Sequence, residues 1–191
     1  MRTIILLLLL SATNTLYAQL NTHVIWTEQS SIPSSDIIYY HPQSSLQWKD
    51  FQGMPVVNHR AAAITVSGFG YKASLKNIGS KGDLVISVYC FFNKPKSWVK
   101  EGHTTSYILA HEQNHFDISY LATNIFIEKL KATNFTTSNM NSLLPKIYTE
   151  CCDIMNKLQD DYDGQTKNGQ VKDAQKKWNE FINEKLDNLT R

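Results

Sequence analysis

The sequence of 191 residues is poor in cysteine, in net charge and in long hydrophobic runs. Its three cysteines are too few for a disulfide scaffold, and they form no CxxC pair. The formal net charge is +2 and the lysines are scattered, which gives no sign of a nucleic-acid or anionic membrane partner. With 42% hydrophobic and 19% charged residues, the chain can bury a core and has too little charge for a disordered protein.

The first eighteen residues have the order of a secretory signal peptide. Arg2 gives a positive start, residues 4–10 form an unbroken apolar run, and small and polar residues follow before Gln19. The run is far shorter than the roughly 18 apolar residues that span a bilayer. The sequence therefore predicts a signal peptide at residues 1–18, a secreted or periplasmic mature chain, and no integral membrane segment after cleavage.

Export would bring the three cysteines into an oxidising compartment. Cys90 lies in an apolar, strand-like run, and Cys151 and Cys152 are adjacent. We expect one disulfide between Cys90 and one member of the pair. The alternative is that the cysteines are buried thiols.

Strand signals precede helix signals along the chain. Polar residues predict an irregular loop over residues 20–36 and an acidic turn over residues 160–169. The expected elements are strands at residues 37–40, 61–73 and 84–92, the last two as a hairpin, and helices from Thr104 or Thr105 to about Lys131, at 143–158 and at 171–189. The predicted fold class is α+β: one domain over residues 19–191, with an N-terminal antiparallel β-sheet followed by a helical half in a zincin-like arrangement.

Residues 111–115 read His-Glu-Gln-Asn-His, an HExxH pattern inside the predicted first helix. Four residues turn through about 400°, so His111 and His115 lie on one face, where they can bind one zinc ion. Glu112 lies about 100° round the helix, where it can reach a water on the metal without binding the metal itself. The pattern predicts two zinc ligands and, in Glu112, a catalytic base that passes a proton from this water to a leaving amine.

A catalytic zinc site needs a third protein ligand and an open position. The extended pattern HExxHxxGxxH is excluded, because Ile118 and Leu121 stand where its glycine and second histidine would be. Asp117 points away from His115, so we expect it in a packing or hydrogen-bonding role. Glu128 also faces away from the two histidines.

The remaining candidates for the third ligand lie outside this helix. His103 precedes the helix, although a lone histidine in a loop is usually only exposed. Asp160, Asp161 and Asp163 lie between two predicted helices, from which one carboxylate could fold back onto the metal. The alternative is an acidic, solvated turn. We predict Asp163 as the third ligand.

The longer stretch HExxHFDI, residues 111–118, resembles the hallmark of the domain-of-unknown-function-922 family. Residues 48–53 are similar to its early W-x-D-F-x-G motif, and residues 62–65 to a small-residue strand after it. The late motifs Y-D-x-x-T-x-H-G and Q-x-x-W are matched by Tyr162, Asp163, Thr166, Gly169, Gln175 and Trp178. The resemblance implies a bacterial, secreted, zinc-dependent protease. Asn168 departs from it, because the family has a histidine there.

Three functions compete on these observations. The first is a secreted zinc-dependent metallopeptidase that acts on peptides or proteins of the cell envelope or exterior, with a groove beside a strand to which substrate could pair. The second is a non-catalytic, zinc-stabilised envelope binding or assembly protein, which Asn168 favours if the missing histidine is a ligand. The third is a helical interaction domain without a metal.

Overall fold

The computed structural model describes residues 19–42, 45–76 and 82–189. The predicted signal peptide lies outside these ranges and stays a prediction. Strands occupy the N-terminal half and three helices the C-terminal half, which confirms a mixed α and β chain in the predicted order. The strands are β1 (Asn21–Trp26), β2 (Ile37–Tyr39), β3 (Ala63–Ile64), β4 (Ser67–Lys76), β5 (Asp83–Asn93) and β6 (Trp98–Val99); the helices are α1 (Ser106–Ala132), α2 (Met140–Thr166) and α3 (Lys172–Leu189).

Strand β5 is the centre of the main sheet. β4 pairs with it antiparallel along its length, from Ser67 opposite Phe92 to Lys76 opposite Asp83. Along the other edge of β5, β1 pairs in parallel with residues 83–88 and β2 pairs antiparallel with residues 91–93. The predicted hairpin is therefore confirmed, whereas the expectation of a wholly antiparallel sheet is wrong at β1.

Strand β1 also corrects the irregular loop expected over residues 20–36. None of its six side chains is fully buried, and the strand is held by its backbone pairing with β5. Such a strand carries no alternating apolar pattern, which is the signal that predicts strands from sequence.

The single strand expected over residues 61–73 is divided into β3 and β4. β3 leaves the main sheet and pairs antiparallel with β6 in a separate two-stranded sheet. Between them, the Val66 amide donates to the Ser97 hydroxyl at 2.9 Å and its carbonyl accepts from the Asn93 amide at 2.8 Å. These bonds anchor the chain where it passes from one sheet to the other.

The main core lies between α1 and the sheet, chiefly against β4 and β5. Its buried side chains include Phe69, Ile86, Val88 and Phe92 from the sheet and Phe116, Ala122, Phe126 and Leu130 from α1. A smaller apolar cluster joins the three helices and consists of Ile118, Leu121, Tyr162 and Ile182. Helix α1 is thus enclosed on both sides, and polar side chains along it need partners.

All three cysteines are free thiols, so the expected disulfide is wrong. Cys90 lies in the sheet and its thiol faces Thr123 of α1, whereas that of Cys152 faces Tyr148 on its own helix. Cys90 and Cys151 are fully buried, which fits the alternative of buried thiols.

Helix α1 begins where the sequence predicts, with the Thr105 hydroxyl accepting from the Ile108 amide at 3.2 Å. Helix α2 is longer than predicted and continues to Thr166, so the turn expected from residue 160 is wrong. Tyr162 and Thr166 are both fully buried and lie one turn apart, which places one face of the extended helix against the protein interior.

Candidate metal centre

The two histidines of the HExxH pattern face each other at one surface of α1. Their Nε2 atoms are 3.3 Å apart, and their rings lie edge to face with centroids 4.9 Å apart. Both side chains are largely buried, with 6% of His111 and 13% of His115 exposed. The spacing of four residues on a helix therefore brings the two imidazoles together on one face, as the sequence predicts.

Asp163 approaches both histidines from α2. Its Oδ1 atom is 3.2 Å from the Nε2 atom of His111 and 3.2 Å from that of His115. The three ligand atoms lie within 4.8 Å of one another, as a group that could hold a metal ion. The structure thus brings together His111, His115 and Asp163, with Asp163 on a helix and not in the expected turn.

The other ring nitrogen of each histidine meets a glutamine side chain. The Nδ1 atom of His111 is 2.8 Å from Oε1 of Gln175 on α3. The Nδ1 atom of His115 is hydrogen-bonded to Oε1 of Gln159 on α2. An amide oxygen only accepts, so these two contacts favour a hydrogen on each Nδ1 atom, which in a neutral ring leaves the lone pair of Nε2 towards Asp163.

When both rings are neutral with hydrogen on Nδ1, the two Nε2 atoms and the Asp163 carboxylate are all acceptors. The pKa of Asp163 is well below its ordinary value, because the hydrogen bonds and charges of the two histidines outweigh the effect of burial. Burial opposes charge on His115, but its hydrogen bond to Asp163 and the nearby Glu112 carboxylate raise its pKa. Both shifts show that positive charge beside the Asp163 carboxylate is favourable, and either a proton on a ring or a bound cation can supply it.

Glu112 lies beside this group without joining it. The residue is only 3% exposed, and its Oε2 atom is buried with no hydrogen-bond partner among the described residues. Burial raises the pKa of the carboxyl, while the nearby histidines act in the opposite direction. An unpaired oxygen in a buried carboxylate is costly, and the described residues supply no partner for this one.

A cavity of about 940 Å³ opens beside the three ligand atoms. It is lined by residues 60–67, by residues of α1 and α2, and by residues 167–170. β3 lies in the first of these segments, and its edge away from β6 pairs with no described strand. An extended peptide could pair with such an edge.

The segment after α2 is fitted closely to His111. Gly169 has a φ of 78°, and a Cβ atom there would lie 3.3 Å from the Nδ1 atom of His111. The Tyr107 hydroxyl donates to the Gly169 carbonyl at 2.7 Å. Asn168 lines the cavity but is not in the His-His-Asp group. Since Asp163 completes that group, the departure at Asn168 removes none of its three members.

Other carboxylates considered as ligands lie elsewhere. Asp117 has the predicted hydrogen-bonding role and accepts hydrogen bonds from Tyr40 and Gln113. Glu128 is paired with Lys131 at 2.9 Å on the surface. Neither is in the His-His-Asp group.

The remaining candidates also lie outside the ligand group. Asp161 is paired with Lys157 at 2.6 Å, and Asp160 is exposed on α2. His103 is exposed at the cavity wall and contributes no atom to the His-His-Asp group.

The side chains that support the histidines include Gln159, which no sequence motif singled out, and Tyr162, which was known only as part of a family motif. The Tyr162 ring stacks on His111 with centroids 4.6 Å apart, and its hydroxyl accepts from Asn114 at 3.1 Å. Gln159 and Asp163 are four residues apart on α2, the same spacing as the two histidines on α1. That spacing is the signal in the sequence that could have pointed to Gln159.

Comparison of the chain with protein-family models, with curated proteins and with solved structures finds no match. The family resemblance and the zincin-like arrangement therefore stay predictions. In the part of the chain that the structure describes, no helix is long and apolar enough to cross a bilayer. An assignment of function depends on the geometry of the site itself.

Proposed function

We propose that this chain is an exported, zinc-dependent metallopeptidase of the kind implied by its resemblance to the domain-of-unknown-function-922 family. The observation that carries the proposal is the convergence of His111, His115 and Asp163 beside a buried glutamate with an unpaired oxygen. A metal ion satisfies the three converging acceptors, and a water satisfies the glutamate. The two requirements meet at one cavity, where a substrate can enter.

Zinc is the ion that suits this ligand set best. Two imidazoles and one carboxylate are the protein ligands of a well-known class of catalytic zinc site, which keeps a fourth position open. Zinc in such a site lowers the pKa of a water molecule to about 7 and polarises a carbonyl group.

Glu112 is the general base in this proposal. Its carboxylate accepts a proton from the attacking water and transfers it to the nitrogen of the leaving amine. The buried position raises the pKa of Glu112, which brings the group closer to neutral pH, where it must both take and give a proton. The free edge of β3 would hold the substrate as an added strand along the cavity wall.

The first test is the metal content of residues 19–191, purified without chelator, beside the variant His115→Ala. We expect about one zinc per chain in the wild type and its loss in the variant, because one of three ligands is removed. Absence of zinc from both proteins, even after zinc is added, would contradict the proposal.

The second test is peptide cleavage by the zinc-loaded chain, with Glu112→Gln as the matched variant. Cleavage that disappears in a variant with normal zinc content supports the peptidase. Zinc binding without cleavage of any peptide in a broad library would favour the alternative, a non-catalytic, zinc-stabilised envelope binding or assembly protein. In that case the site would serve stability alone.

A further inference from the structure

A histidine can bind a metal through Nε2 only if its hydrogen lies on Nδ1 or is lost. In water a neutral imidazole exchanges between two tautomers, and the protein must select one of them. We propose that Gln175 and Gln159 are positioning residues that hold His111 and His115 in the tautomer with hydrogen on Nδ1. The proposal deepens the proposed zinc site, on which its metal-binding part rests.

Gln175 is fixed in the orientation that this role needs. The side chain is 2% exposed, and its Oε1 atom lies 2.8 Å from the Nδ1 atom of His111. Its amide nitrogen donates to Oδ1 of Asn179 at 2.7 Å and to the hydroxyl of Tyr162. A flipped amide would place its NH₂ group against His111 and its oxygen against the Oδ1 acceptor of Asn179. The network therefore keeps the oxygen towards the imidazole.

Gln159 holds His115 in a corresponding way from α2. Its amide nitrogen donates to the His115 carbonyl at 2.8 Å, which leaves Oε1 as the atom that faces the ring. Asp163 follows one turn later on the same helix and contacts the other ring nitrogen of His115. α2 thus contacts the imidazole at both nitrogens, and a rotation of the ring would break both contacts.

Both acceptors are neutral amides. A carboxylate at either position would select the same tautomer but would add a buried negative charge and raise the basicity of the imidazole. The amides fix the ring without that charge, so Asp163 and Glu112 remain the acidic side chains that line the cavity among the described residues.

The direct test determines the tautomers of the His111 and His115 imidazoles in the metal-free chain by NMR. Long-range ¹H–¹⁵N spectra, recorded at alkaline pH with ¹⁵N-histidine labelling, distinguish hydrogen on Nδ1 from hydrogen on Nε2. We expect Nδ1–H at His111 and His115 in the wild type, with Gln175→Leu changing the spectrum of His111 and Gln159→Leu that of His115. Hydrogen on Nε2 of either ring in the wild type would overturn the assignment for that ring, whether or not the chain binds zinc.

The second test measures zinc affinity by competition with a coloured chelator. We expect each leucine variant to bind zinc about 10-fold to 100-fold more weakly, as is typical when such a partner of a ligand is removed. Gln175→Glu and Gln159→Glu keep an acceptor, so they should keep the Nδ1–H signals. Gln165→Leu is the control, because Gln165 is an exposed α2 residue that contacts Trp178.

The outcomes separate this proposal from the proposed function. A wild type without zinc affinity but with Nδ1–H at both rings would contradict the peptidase and keep the positioning role. Leucine variants with wild-type spectra and wild-type zinc affinity would overturn the positioning role and keep the peptidase. Should a leucine variant fail to fold, the methionine variant at the same position removes the acceptor with a side chain of similar length.

Discussion

Helix α1 buries two carboxylates five residues apart, and the two regions around them differ. On the side of the N-terminal strands, Asp117 accepts hydrogen bonds from the Tyr40 hydroxyl at 3.0 Å and from the Gln113 amide at 2.9 Å. On the side of the cavity, one oxygen of Glu112 has no partner among the described residues. Burial is the largest cause of a raised pKa in both carboxyl groups.

Under the proposed function, this difference separates a structural carboxylate, Asp117, from a catalytic one, Glu112. A buried acceptor without a partner costs about 1–3 kcal/mol, and more when it is charged. Two polar side chains donate to Asp117, whereas Glu112 keeps an unpaired oxygen and lines the cavity beside the two histidines. Burial alone would not separate the two residues, because Glu112 is 3% and Asp117 7% exposed.

The largest expected difference between the two carboxylates is in the rate of peptide cleavage. We expect Glu112→Gln to lower the rate of peptide cleavage by about 10² to 10⁴-fold, because the general base is lost while the shape of the side chain is kept. Asp117→Asn is the matched control and should change the rate by much less. Fluorogenic peptide assays at equal zinc content check both variants, and an equal loss in the two would remove the distinction.

The next effect is on the stability gained from the metal. Zinc at about 100 times its dissociation constant should raise the free energy of unfolding by about 2.7 kcal/mol, because it binds only the folded chain. Urea unfolding with zinc and with a chelator measures the difference. We expect Asp117→Asn to keep the gain and His111→Ala to lose it; a gain that persists in His111→Ala would place the bound metal elsewhere.

A smaller effect is expected on the Asp117 side alone. Tyr40→Phe removes a donor to a buried carboxylate and should lower the free energy of unfolding by about 1–3 kcal/mol. Zinc affinity should stay unchanged, because Tyr40 contacts Asp117 and lies outside the metal group. Tyr39→Phe is the control, since the half-buried Tyr39 hydroxyl donates to the Ser30 hydroxyl at 3.0 Å. A loss of zinc affinity in Tyr40→Phe would show that the two regions are coupled.

The smallest effect concerns pH. The pKa of Asp117 is raised in the folded state. At pH values between the ordinary pKa of the carboxyl and this raised pKa, the folded state therefore keeps a proton that the unfolded state has lost. The free energy of unfolding therefore falls as pH rises through that interval, and the contribution is lost above the raised pKa. Asp117→Asn should remove this slope. Urea unfolding of the chelator-treated chains over a pH series gives the difference, and identical slopes would contradict the assignment.

The sequence allowed a good part of the fold to be predicted. The hairpin of β4 and β5 and the three helices follow from apolar periodicity, and Thr105 marks the start of α1. Strand β1 could not be found in this way, because backbone pairing holds it while its side chains stay partly or fully exposed. The helical end of α2 was missed since its acidic composition resembles a turn, although Tyr162 and Thr166 are buried.

For the site, the sequence by itself determined the pair His111 and His115 and the neighbouring Glu112, because a spacing within one helix fixes which side chains share a face. It predicted Asp163 as the third ligand from an expected turn, whereas the structure places Asp163 beside the pair on helix α2. The tertiary structure alone decided that Gln175 and Gln159 contact the Nδ1 atoms of His111 and His115. These contacts join residues at least 44 positions apart, and such contacts depend on how three helices pack rather than on any local pattern.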